Sequence, residues 1–327
     1  MMKKKLVSAL IGFIQLGYVG ALQAQDKPQP IIDVHVHLLS IPGANIPGMC
    51  PWFLKDMRGG DPHIPMQQPM NSECKEPLAA SASPEDYRKE VLAEAERLNV
   101  TMVISGDEAM LKEWKKAAPK RVIASLSISP DMKPEVFREK LASGFYQVVG
   151  EVAPQYAGLS PSDKSLYPYY AIAEELGVPV GIHMGTGGNG MANVNRGAYR
   201  ASLGNPFLLE DMLADHPKLK IWVMHAGYPM IDEMLALMGA NAYVYVDIAG
   251  LIWSYPRAEV DMYLERLVQA GFGERVLYGT DLMIWPGLLK TSINLVQEAD
   301  YLTEQQKRNI LFNNAVRFFN WKTEDFK

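Results

Sequence analysis

The sequence predicts an α/β protein that folds as a single (β/α)8 TIM barrel, with long loops after strands 1 and 5 and an extra C-terminal helix. Short apolar runs and amphipathic stretches alternate from Ile31 onward, eight of each. The runs are too short for helices and too apolar for surface strands, which indicates parallel strands buried on both faces. Eight strand–helix units of this kind close into a barrel.

The composition agrees with one large globular unit. The chain has 327 residues, of which 48% are hydrophobic and 21% are charged. Barrels of this class often use about 250 residues as one domain, so the length does not require a second domain. The formal net charge is −5, which is not typical of nucleic-acid binding, and we expect a small-molecule substrate instead.

The apolar runs place the strands along the chain. The predicted strands are Ile31–Leu38, Thr101–Ser105, Arg121–Ile128, Gln147–Val152, Pro179–Met184, Lys220–His225, Tyr243–Ile248 and Arg275–Thr280.

The amphipathic stretches place the helices. The first begins with Ser83 as N-cap and Pro84 in the first turn, and it runs to about Asn99. The other predicted helices are Ala109–Ala118, Pro134–Ser143, Tyr167–Leu176, Pro206–Asp215, Met230–Met238, Arg257–Ala270, Leu288–Ala299 and an extra helix, Thr303–Phe319, which we expect to pack outside the barrel.

Two connections are too long to be simple joints. Leu39–Ala82 follows strand 1 and is rich in Pro, Gly, Met and Gln, and Gly185–Gly204 follows strand 5 and is rich in Gly and Asn. Both leave the C-terminal ends of strands, where barrel enzymes place their chemistry. We therefore interpret them as lid or substrate loops.

Residues 1–24 predict a secretory signal peptide. Three lysines precede an apolar run, Leu6–Ala21, and small residues follow it up to Ala24. We expect residues 25–327 to form the mature barrel domain of an exported protein, periplasmic or secreted, with no stable membrane insertion after cleavage. An uncleaved membrane anchor is the alternative, although the apolar run is short for a span.

The chain contains only two cysteines, Cys50 and Cys74, in the same Pro-rich segment. Export to an oxidising compartment favours a disulfide between them, and two unpaired thiols are the alternative. Closing a loop of about 25 residues would stabilise the fold by roughly 3 kcal/mol in the chain-entropy account.

Two histidines on the first strand point to metal chemistry. His35 and His37 are two residues apart, so both side chains lie on the same side of the strand. This spacing lets two imidazoles converge on one ion. Four further ionisable residues end other predicted strands, and all would meet at one rim of the barrel; they are Glu151, His183, His225 and Asp281. Such a cluster is stable only with an ion or with mutual hydrogen bonds, so we predict a metal site.

The motifs together resemble the amidohydrolase superfamily, in the branch of amidohydrolase-related decarboxylases and lactonase-like hydrolases. The matching segments are DVHVH (33–37), GEV (150–152), AEELGVPVGIHMG (173–185), VMHAG (223–227), YGTD (278–281) and NILFNNAVRFF (309–319). The resemblance implies a divalent metal held by His35, His37, His183 and Asp281, with His225 near the metal and the reacting carbonyl.

Strand 4 departs from the best-known hydrolases of that superfamily, which often place a carboxylated lysine there. This chain has Glu151, which is able to bridge a second ion, to ligate the first or only to form hydrogen bonds. We expect one metal, with zinc as the default for histidine-rich ligands.

Two reactions fit these residues. In a hydrolase, Asp281 would take a proton from water and pass it to the leaving group, while His225 would donate to the developing oxyanion of a lactone, ester or amide. In a decarboxylase, Arg196 and Arg200 of the strand-5 loop would hold the carboxylate of an aromatic or unsaturated acid. Export favours hydrolysis. A binding protein without catalysis is a third possibility, which the complete ligand set disfavours.

Aromatic residues after several strands would suit a ring that stacks on a substrate, although each would equally suit loop packing. They are Trp52, Tyr156, Trp253, Tyr255 and Trp285, of which Trp253 and Trp285 are the candidate substrate contacts. His63 lies in the first long loop and is a further candidate for a contact with the pocket. His216 precedes a proline at a helix end, and we expect it on the surface or at the helix C-terminus. A homodimer is an expectation from the resemblance alone.

Overall fold

The structure, a computed structural model, describes residues 28–38, 46, 48–52, 63, 74–129, 131–188, 190–194 and 198–326. The expected signal peptide (1–24), most of the loop 39–82 and Arg196 lie outside the described residues. Among the residues described, no helix has the length and apolar character needed to cross a membrane.

The predicted barrel is confirmed. Eight parallel strands are hydrogen-bonded in chain order within the described part of the molecule. They are β1 (Ile31–Leu38), β2 (Val100–Gly106), β3 (Val122–Leu126), β4 (Tyr146–Val152), β5 (Val180–His183), β6 (Ile221–Met224), β7 (Val244–Asp247) and β8 (Val276–Leu277).

Hydrogen bonds between β1 and the segment that follows β8 close the barrel. The N–H of Val34 donates to the carbonyl of Tyr278, and the N–H of His37 donates to the carbonyl of Leu282. The last strand is shorter than the predicted Arg275–Thr280: the N–H of Tyr278 donates to the carbonyl of Ile310, and the N–H of Thr280 donates to the side chain of Asp33.

Side chains alternate between the two faces of each strand, as the barrel requires. On β6, Ile221 and Val223 belong to the large core beneath the helices, whereas Trp222 and Met224 belong to a second apolar cluster inside the barrel. This inner cluster fills the lower part of the barrel, so the molecule is packed there and has no open channel.

Most of the helices lie where their patterns predicted, with small shifts at the ends, and Met191–Val194 and Leu251–Ser254 form two short helices that the sequence did not predict. In chain order the helices are α1 (Pro84–Leu98), α2 (Glu108–Ala117), α3 (Pro134–Ala142), α4 (Tyr167–Leu176), α5 (Met191–Val194), α6 (Glu210–Asp215), α7 (Ile231–Ala240), α8 (Leu251–Ser254), α9 (Arg257–Leu267), α10 (Leu288–Gln297), α11 (Glu304–Arg308) and α12 (Asn314–Phe319). Helix α1 is capped as expected, since the Ser83 side chain accepts from the N–H of Asp86.

The C-terminal helix corrects one expectation. It runs through α11, a π-turn at Asn309–Asn313 and α12, and it does not only pack outside the barrel. Phe312 and Phe318 join the inner cluster, and Lys220, just before β6, donates to the carbonyl of Phe318. The helix therefore closes the N-terminal end of the barrel, because its aromatic residues cover apolar side chains that the strands leave open there.

The two long loops are each cross-linked internally. A disulfide joins Cys50 to Cys74, as expected, and Met49 pairs with Leu78 in an antiparallel bridge. In the strand-5 loop, the N–H of Gly185 donates to the carbonyl of Gly204 at 2.7 Å. A Cβ at position 204 would lie 1.9 Å from the carbonyl oxygen of Gly185, so only glycine fits.

Candidate metal centre

The ionisable residues singled out in the sequence meet at the C-terminal end of the barrel. His35 and His37 lie on β1, and Glu151 is the residue before the last on β4. His183 ends β5, His225 directly follows β6, and Asp281 lies just beyond β8. They form two groups of ligand atoms.

The first group contains both histidines of β1. Their Nε2 atoms lie 2.9 Å apart. The Oδ1 atom of Asp281 lies 3.7 Å from Nε2 of His35 and 3.3 Å from Nε2 of His37. The Oε2 atom of Glu151 lies 3.5 Å from Nε2 of His37 and completes a cage of two nitrogens and two oxygens.

The second group contains the histidines of β5 and β6. Nδ1 of His183 lies 3.0 Å from Nε2 of His225. The Oε1 atom of Glu151 contacts Nδ1 of His183 and lies 3.2 Å from Nε2 of His225. Glu151 therefore belongs to both groups, one carboxylate oxygen to each. His183 lies with Glu151 and His225, whereas the sequence grouped it with His35, His37 and Asp281.

Both groups fit a divalent metal ion. Nitrogen and oxygen donors about 2.0–2.1 Å from one ion lie at most about 4.2 Å from one another, and the distances above stay within that limit. Oδ1 of Asp281 is buried and forms no hydrogen bond within the part of the chain that the structure describes. A buried carboxylate oxygen in that position is costly unless a cation neutralises it.

The second nitrogen of each imidazole is fixed by a neighbouring group. Nδ1 of His35 lies 3.2 Å from the carboxylate of Asp247, and Nδ1 of His225 lies 2.9 Å from the carbonyl of Ala249. Such partners set the tautomer and aim the free lone pair at the metal. For the other two imidazoles the corresponding partners are the hydroxyl of Ser105 on His37 and the hydroxyl of Tyr156 on His183, at 2.9 and 3.3 Å.

The sequence analysis missed Asp247 and Ser105. Both had a detectable signal, since each is a polar residue near the end of an apolar run that predicts a buried strand. Asp247 is fully buried, and its Oδ1 also accepts the N–H groups of His225 and Ala249, at 2.9 and 3.1 Å. One carboxylate thus orients residues that follow two different strands.

Burial and charge set the protonation of the site. Burial lowers the pKa of His35, but the pairing with Asp247 outweighs it and raises the pKa to about 10. For His183 burial prevails and the pKa falls below its usual value, although Glu151 opposes this. Burial raises the pKa of Glu151, but His183 and His225 hold it well below the usual value. A metal would therefore find the Glu151 carboxylate ionised and would displace a proton from His35.

Two site residues adopt a left-handed backbone conformation. The φ angles of His225 and Asp281 are both 58°, a region that costs a non-glycine residue on the order of 1 kcal/mol. The cost is tolerated because neighbouring bonds fix the backbone; the N–H of Asp281, for example, donates to the carbonyl of His35 at 2.8 Å.

The candidate substrate contacts differ in their exposure and in the groups that surround them. Trp253 and Trp285 are 6% and 2% exposed and lie in the large core, so their positions serve packing, and a contact with substrate stays a prediction. Arg200 is exposed, and its guanidinium donates to the carbonyl of Tyr199. Tyr156 is at the site, where its ring stacks on Tyr199 with 5.9 Å between centroids.

His216 takes the second of its two expected placements, at a helix C-terminus. It caps α6, as the sequence suggested, but it is only 7% exposed. Its ring packs edge-on against Tyr167 and Tyr170 of α4, and its Nδ1 lies 3.5 Å from the carboxylate of Glu174. The surface placement was wrong because α4 covers this helix end. His63 lies in the loop 39–82 and is exposed.

With the fold and the ligand groups established, comparison with known proteins identifies the family. A family model described as Amidohydrolase matches residues 32–321, which is nearly the whole barrel. The chain belongs to the amidohydrolase family. Enzymes of this family are metal-dependent, in agreement with the ligand groups at the rim.

Solved structures share the amidohydrolase barrel at low sequence identity. An uncharacterized TIM-barrel protein from Bordetella bronchiseptica is 18% identical with a TM-score of 0.58, over 89% of this chain and 98% of that one. A probable 2-pyrone-4,6-dicarboxylic acid hydrolase from Acinetobacter baumannii is 13% identical with a TM-score of 0.57, over 89% and 99%. A 5-carboxyvanillate decarboxylase from Novosphingobium aromaticivorans, complexed with manganese, is 13% identical with a TM-score of 0.58, over 90% and 97%.

One curated relative matches part of the barrel. Protein fluG of Emericella nidulans is 24% identical over 156 residues, which are 43% of this chain. The match spans 17% of that longer protein. These similarities show a common fold and leave the reaction to be argued from the site.

Proposed function

We propose that this amidohydrolase is a metal-dependent hydrolase of a small carbonyl substrate, a lactone, an ester or an amide. One observation carries the proposal: Oδ1 of Asp281 is buried, forms no hydrogen bond in the described structure and faces the histidines of β1. A carboxylate placed in this way beside a metal is suited to accept a proton from water.

The residues of the site divide the work of hydrolysis. A bound divalent ion supplies the chemistry of lowering the pKa of water and polarising a carbonyl. Asp281 accepts the proton of the attacking water and returns it to the leaving group. His225, whose ring lies beside both Glu151 and His183, donates a hydrogen bond from Nε2 to the developing oxyanion when it is an imidazolium and not itself a ligand, since its Nδ1–H is taken by the carbonyl of Ala249.

Decarboxylation of an aromatic or unsaturated acid is the second candidate function. It is supported by the similarity to a manganese-containing 5-carboxyvanillate decarboxylase, as hydrolysis is by the similarity to a probable 2-pyrone-4,6-dicarboxylic acid hydrolase. Decarboxylation needs a cation near the departing carboxylate. Of the two arginines predicted for that role, Arg200 donates one N–H to the carbonyl of Tyr199, and Arg196 lies outside the described residues.

We further propose zinc as the ion, since four imidazoles surround the site. The sequence favours a single ion, and the division of Glu151 between two ligand groups also suits a second one. Metal analysis of the purified protein gives the number and the element. The variant Glu151→Gln then distinguishes a two-metal site from a one-metal site in which Glu151 is not a ligand. We expect it to remove one ion from a two-metal site and no ion from such a one-metal site.

Activity is tested with the metal-analysed protein against lactones, esters, amides and aromatic acids. We expect hydrolysis without release of carbon dioxide, and a loss of both bound metal and activity in His183→Ala while thermal unfolding stays cooperative. Release of carbon dioxide would establish the decarboxylase instead. Hydrolysis that persists in the metal-free protein would reject both metal-dependent schemes.

Export belongs to the same proposal. It rests on the lysines, the apolar run and the small residues of segment 1–24. Expression in a bacterial host followed by fractionation and N-terminal sequencing tests it. Mature protein in the periplasm that begins after residue 24 supports export, and intact protein in the cytoplasm contradicts it.

A further inference from the structure

Trp253 contacts the metal centre indirectly, through the residue before Asp281. It lies on α8, directly after β7, and is 6% exposed. Its indole Nε1–H donates to the carbonyl oxygen of Thr280 at 2.5 Å. The N–H of Gly250 donates to the same carbonyl at 3.2 Å.

The carbonyl of Thr280 matters because it belongs to the peptide group that fixes the φ angle of Asp281. That angle is 58°, in the left-handed region that an aspartate rarely adopts without restraint. The opposite side of the same peptide is held by the N–H of Asp281, which donates to the carbonyl of His35 at 2.8 Å. In this conformation the carboxylate of Asp281 reaches the histidines of β1.

The first long loop reaches the same tryptophan from the other side. The N–H of Trp52 donates to the carbonyl oxygen of Trp253 at 2.5 Å. Trp52 is two residues beyond Cys50, whose disulfide with Cys74 closes this loop. A continuous set of hydrogen bonds therefore connects the disulfide-bonded loop, Trp253 and the backbone of Asp281.

We propose that Trp253 is a positioning residue for Asp281. Its indole N–H holds the Thr280–Asp281 peptide in the orientation that aims the Asp281 carboxylate at the metal. The disulfide-bonded loop in turn holds Trp253 in place. This role differs from a stacking contact with substrate, because the indole Nε1–H of Trp253 acts on the backbone carbonyl of Thr280 and the face of the ring is not used. The inference rests on the proposed metal site, and its test uses metal binding rather than turnover.

The test compares Trp253→Phe with Trp253→Tyr and Trp222→Phe. Phenylalanine lacks a donor at position 253, whereas tyrosine retains a hydroxyl on a ring of similar size. Trp222 is equally buried inside the barrel, and its Nε1 has no hydrogen-bond partner among the residues described, so Trp222→Phe removes bulk without removing a bond. Affinity for Zn²⁺ is measured by chelator competition, and the ligand geometry by the visible spectrum of the Co²⁺ form.

We expect Trp253→Phe to bind Zn²⁺ about tenfold more weakly than the parent protein and to change the Co²⁺ spectrum, as losses of groups that orient ligands generally do. Trp253→Tyr should recover part of the affinity, and Trp222→Phe should keep both the affinity and the spectrum. Parent-like binding in Trp253→Phe, or an equal loss in Trp222→Phe, overturns the proposal. A parent protein that binds neither ion would instead reject the metal site itself.

The double variant Cys50→Ser/Cys74→Ser keeps the test available if position 253 does not tolerate substitution. It changes only the loop that holds Trp52, so we expect a smaller loss of Zn²⁺ affinity, about threefold, and the same direction of change in the Co²⁺ spectrum. Unchanged affinity and spectrum in this variant would overturn the part of the proposal that assigns the loop a role.

Discussion

Asp247 is a buried side chain that orients residues of the metal centre without being assigned as a metal ligand. Its Oδ2 lies 3.2 Å from Nδ1 of His35, and its Oδ1 accepts two backbone N–H groups after β6 and β7. The carboxylate therefore keeps the proton of His35 on Nδ1 and leaves Nε2 to face the metal.

Replacing Asp247 by asparagine separates its hydrogen bonds with backbone N–H groups from its effect on the tautomer of His35. The amide oxygen can still accept both backbone N–H groups, but the amide nitrogen presents a donor to His35 and favours the wrong tautomer. We expect Asp247→Asn to weaken Zn²⁺ binding about 10–100-fold, as measured by chelator competition. Asp232→Asn, at an exposed position, is the matched control and should bind like the parent. Equal affinity in the two variants would contradict the assigned role.

The residues of the site were only partly predictable from the sequence. His183 and Asp281 stand at the ends of apolar runs, and His35 and His37 lie in the second half of the first run, so their position at one rim follows from strand direction. Which of them share a ligand group depends on barrel geometry, and the sequence therefore grouped His183 differently from the structure. The burial of Trp253 depends on how the loops fold over it, which no local pattern reveals.

Between elements, β5 and β6 pack closely inside the barrel. Gly181 on β5 faces the indole of Trp222 on β6, and a Cβ at position 181 would lie 2.4 Å from that ring. Glycine is required here by its neighbour rather than by its backbone angles. The pair fills the barrel interior below His183.

We expect Gly181→Ala to lower the free energy of unfolding by about 1–3 kcal/mol, because the added methyl overpacks the interior. In a Trp222→Leu background the same substitution should cost much less, because the ring that it meets is gone. Urea unfolding of the four proteins gives the coupling energy. An identical cost in both backgrounds would show that the indole is not the obstacle.

Ion pairs tie the outer helices to one another. Glu108 begins α2, and its carboxylate accepts from Lys112 at 2.6 Å and from Lys140 of α3. The hydrogen bonds from Lys112 and Lys140 lower the pKa of Glu108 to about 2. The side chain is 39% exposed, so solvent screening limits the stabilisation to about 0.5 kcal/mol.

The pH dependence of this contribution follows from the direction of the shift. A lowered pKa stabilises the folded state above the unfolded value of 4.5, and the effect disappears as the pH falls from 4.5 towards 2. We expect Glu108→Gln to reduce the free energy of unfolding by about 0.5 kcal/mol at pH 7 and by nothing measurable at pH 2. A difference between variant and parent that grows on acidification would contradict this sign.

The elements themselves were the most predictable part, because buried parallel strands read as apolar runs. The exceptions have local causes. β8 ends at Leu277 because the next N–H, that of Tyr278, donates to the carbonyl of Ile310, and α9 ends at Leu267 because a π-turn with Gly271 at a φ of 91° follows it. Both depend on contacts or turns that helix and strand periodicity does not encode.

The two ends of the barrel are stabilised by different means. At the N-terminal end, Phe312 and Phe318 of the last helix cover the inner apolar cluster. At the C-terminal end, the interior is filled by buried imidazoles and carboxylates. Without a metal these groups depend on contacts with one another, such as the pairing of His35 with Asp247 that raises the pKa of His35. The apolar core is large enough to keep the fold, whereas the polar end gains most from an ion.

Removal of the metal should therefore weaken the molecule without unfolding it. An ion that binds only the folded state at about 100 times its dissociation constant adds roughly 2.7 kcal/mol, which corresponds to a rise in Tm of about 4 °C in a protein of this size. Differential scanning calorimetry of chelated and Zn²⁺-loaded protein measures the difference, and the chelated protein should still show a single cooperative transition. His183→Ala should show little of the Zn²⁺-dependent rise, because it lacks a ligand of the second group. An apo protein without a cooperative transition would mean that the metal is part of the core, and identical Tm values with saturating Zn²⁺ would mean that the rim holds no ion.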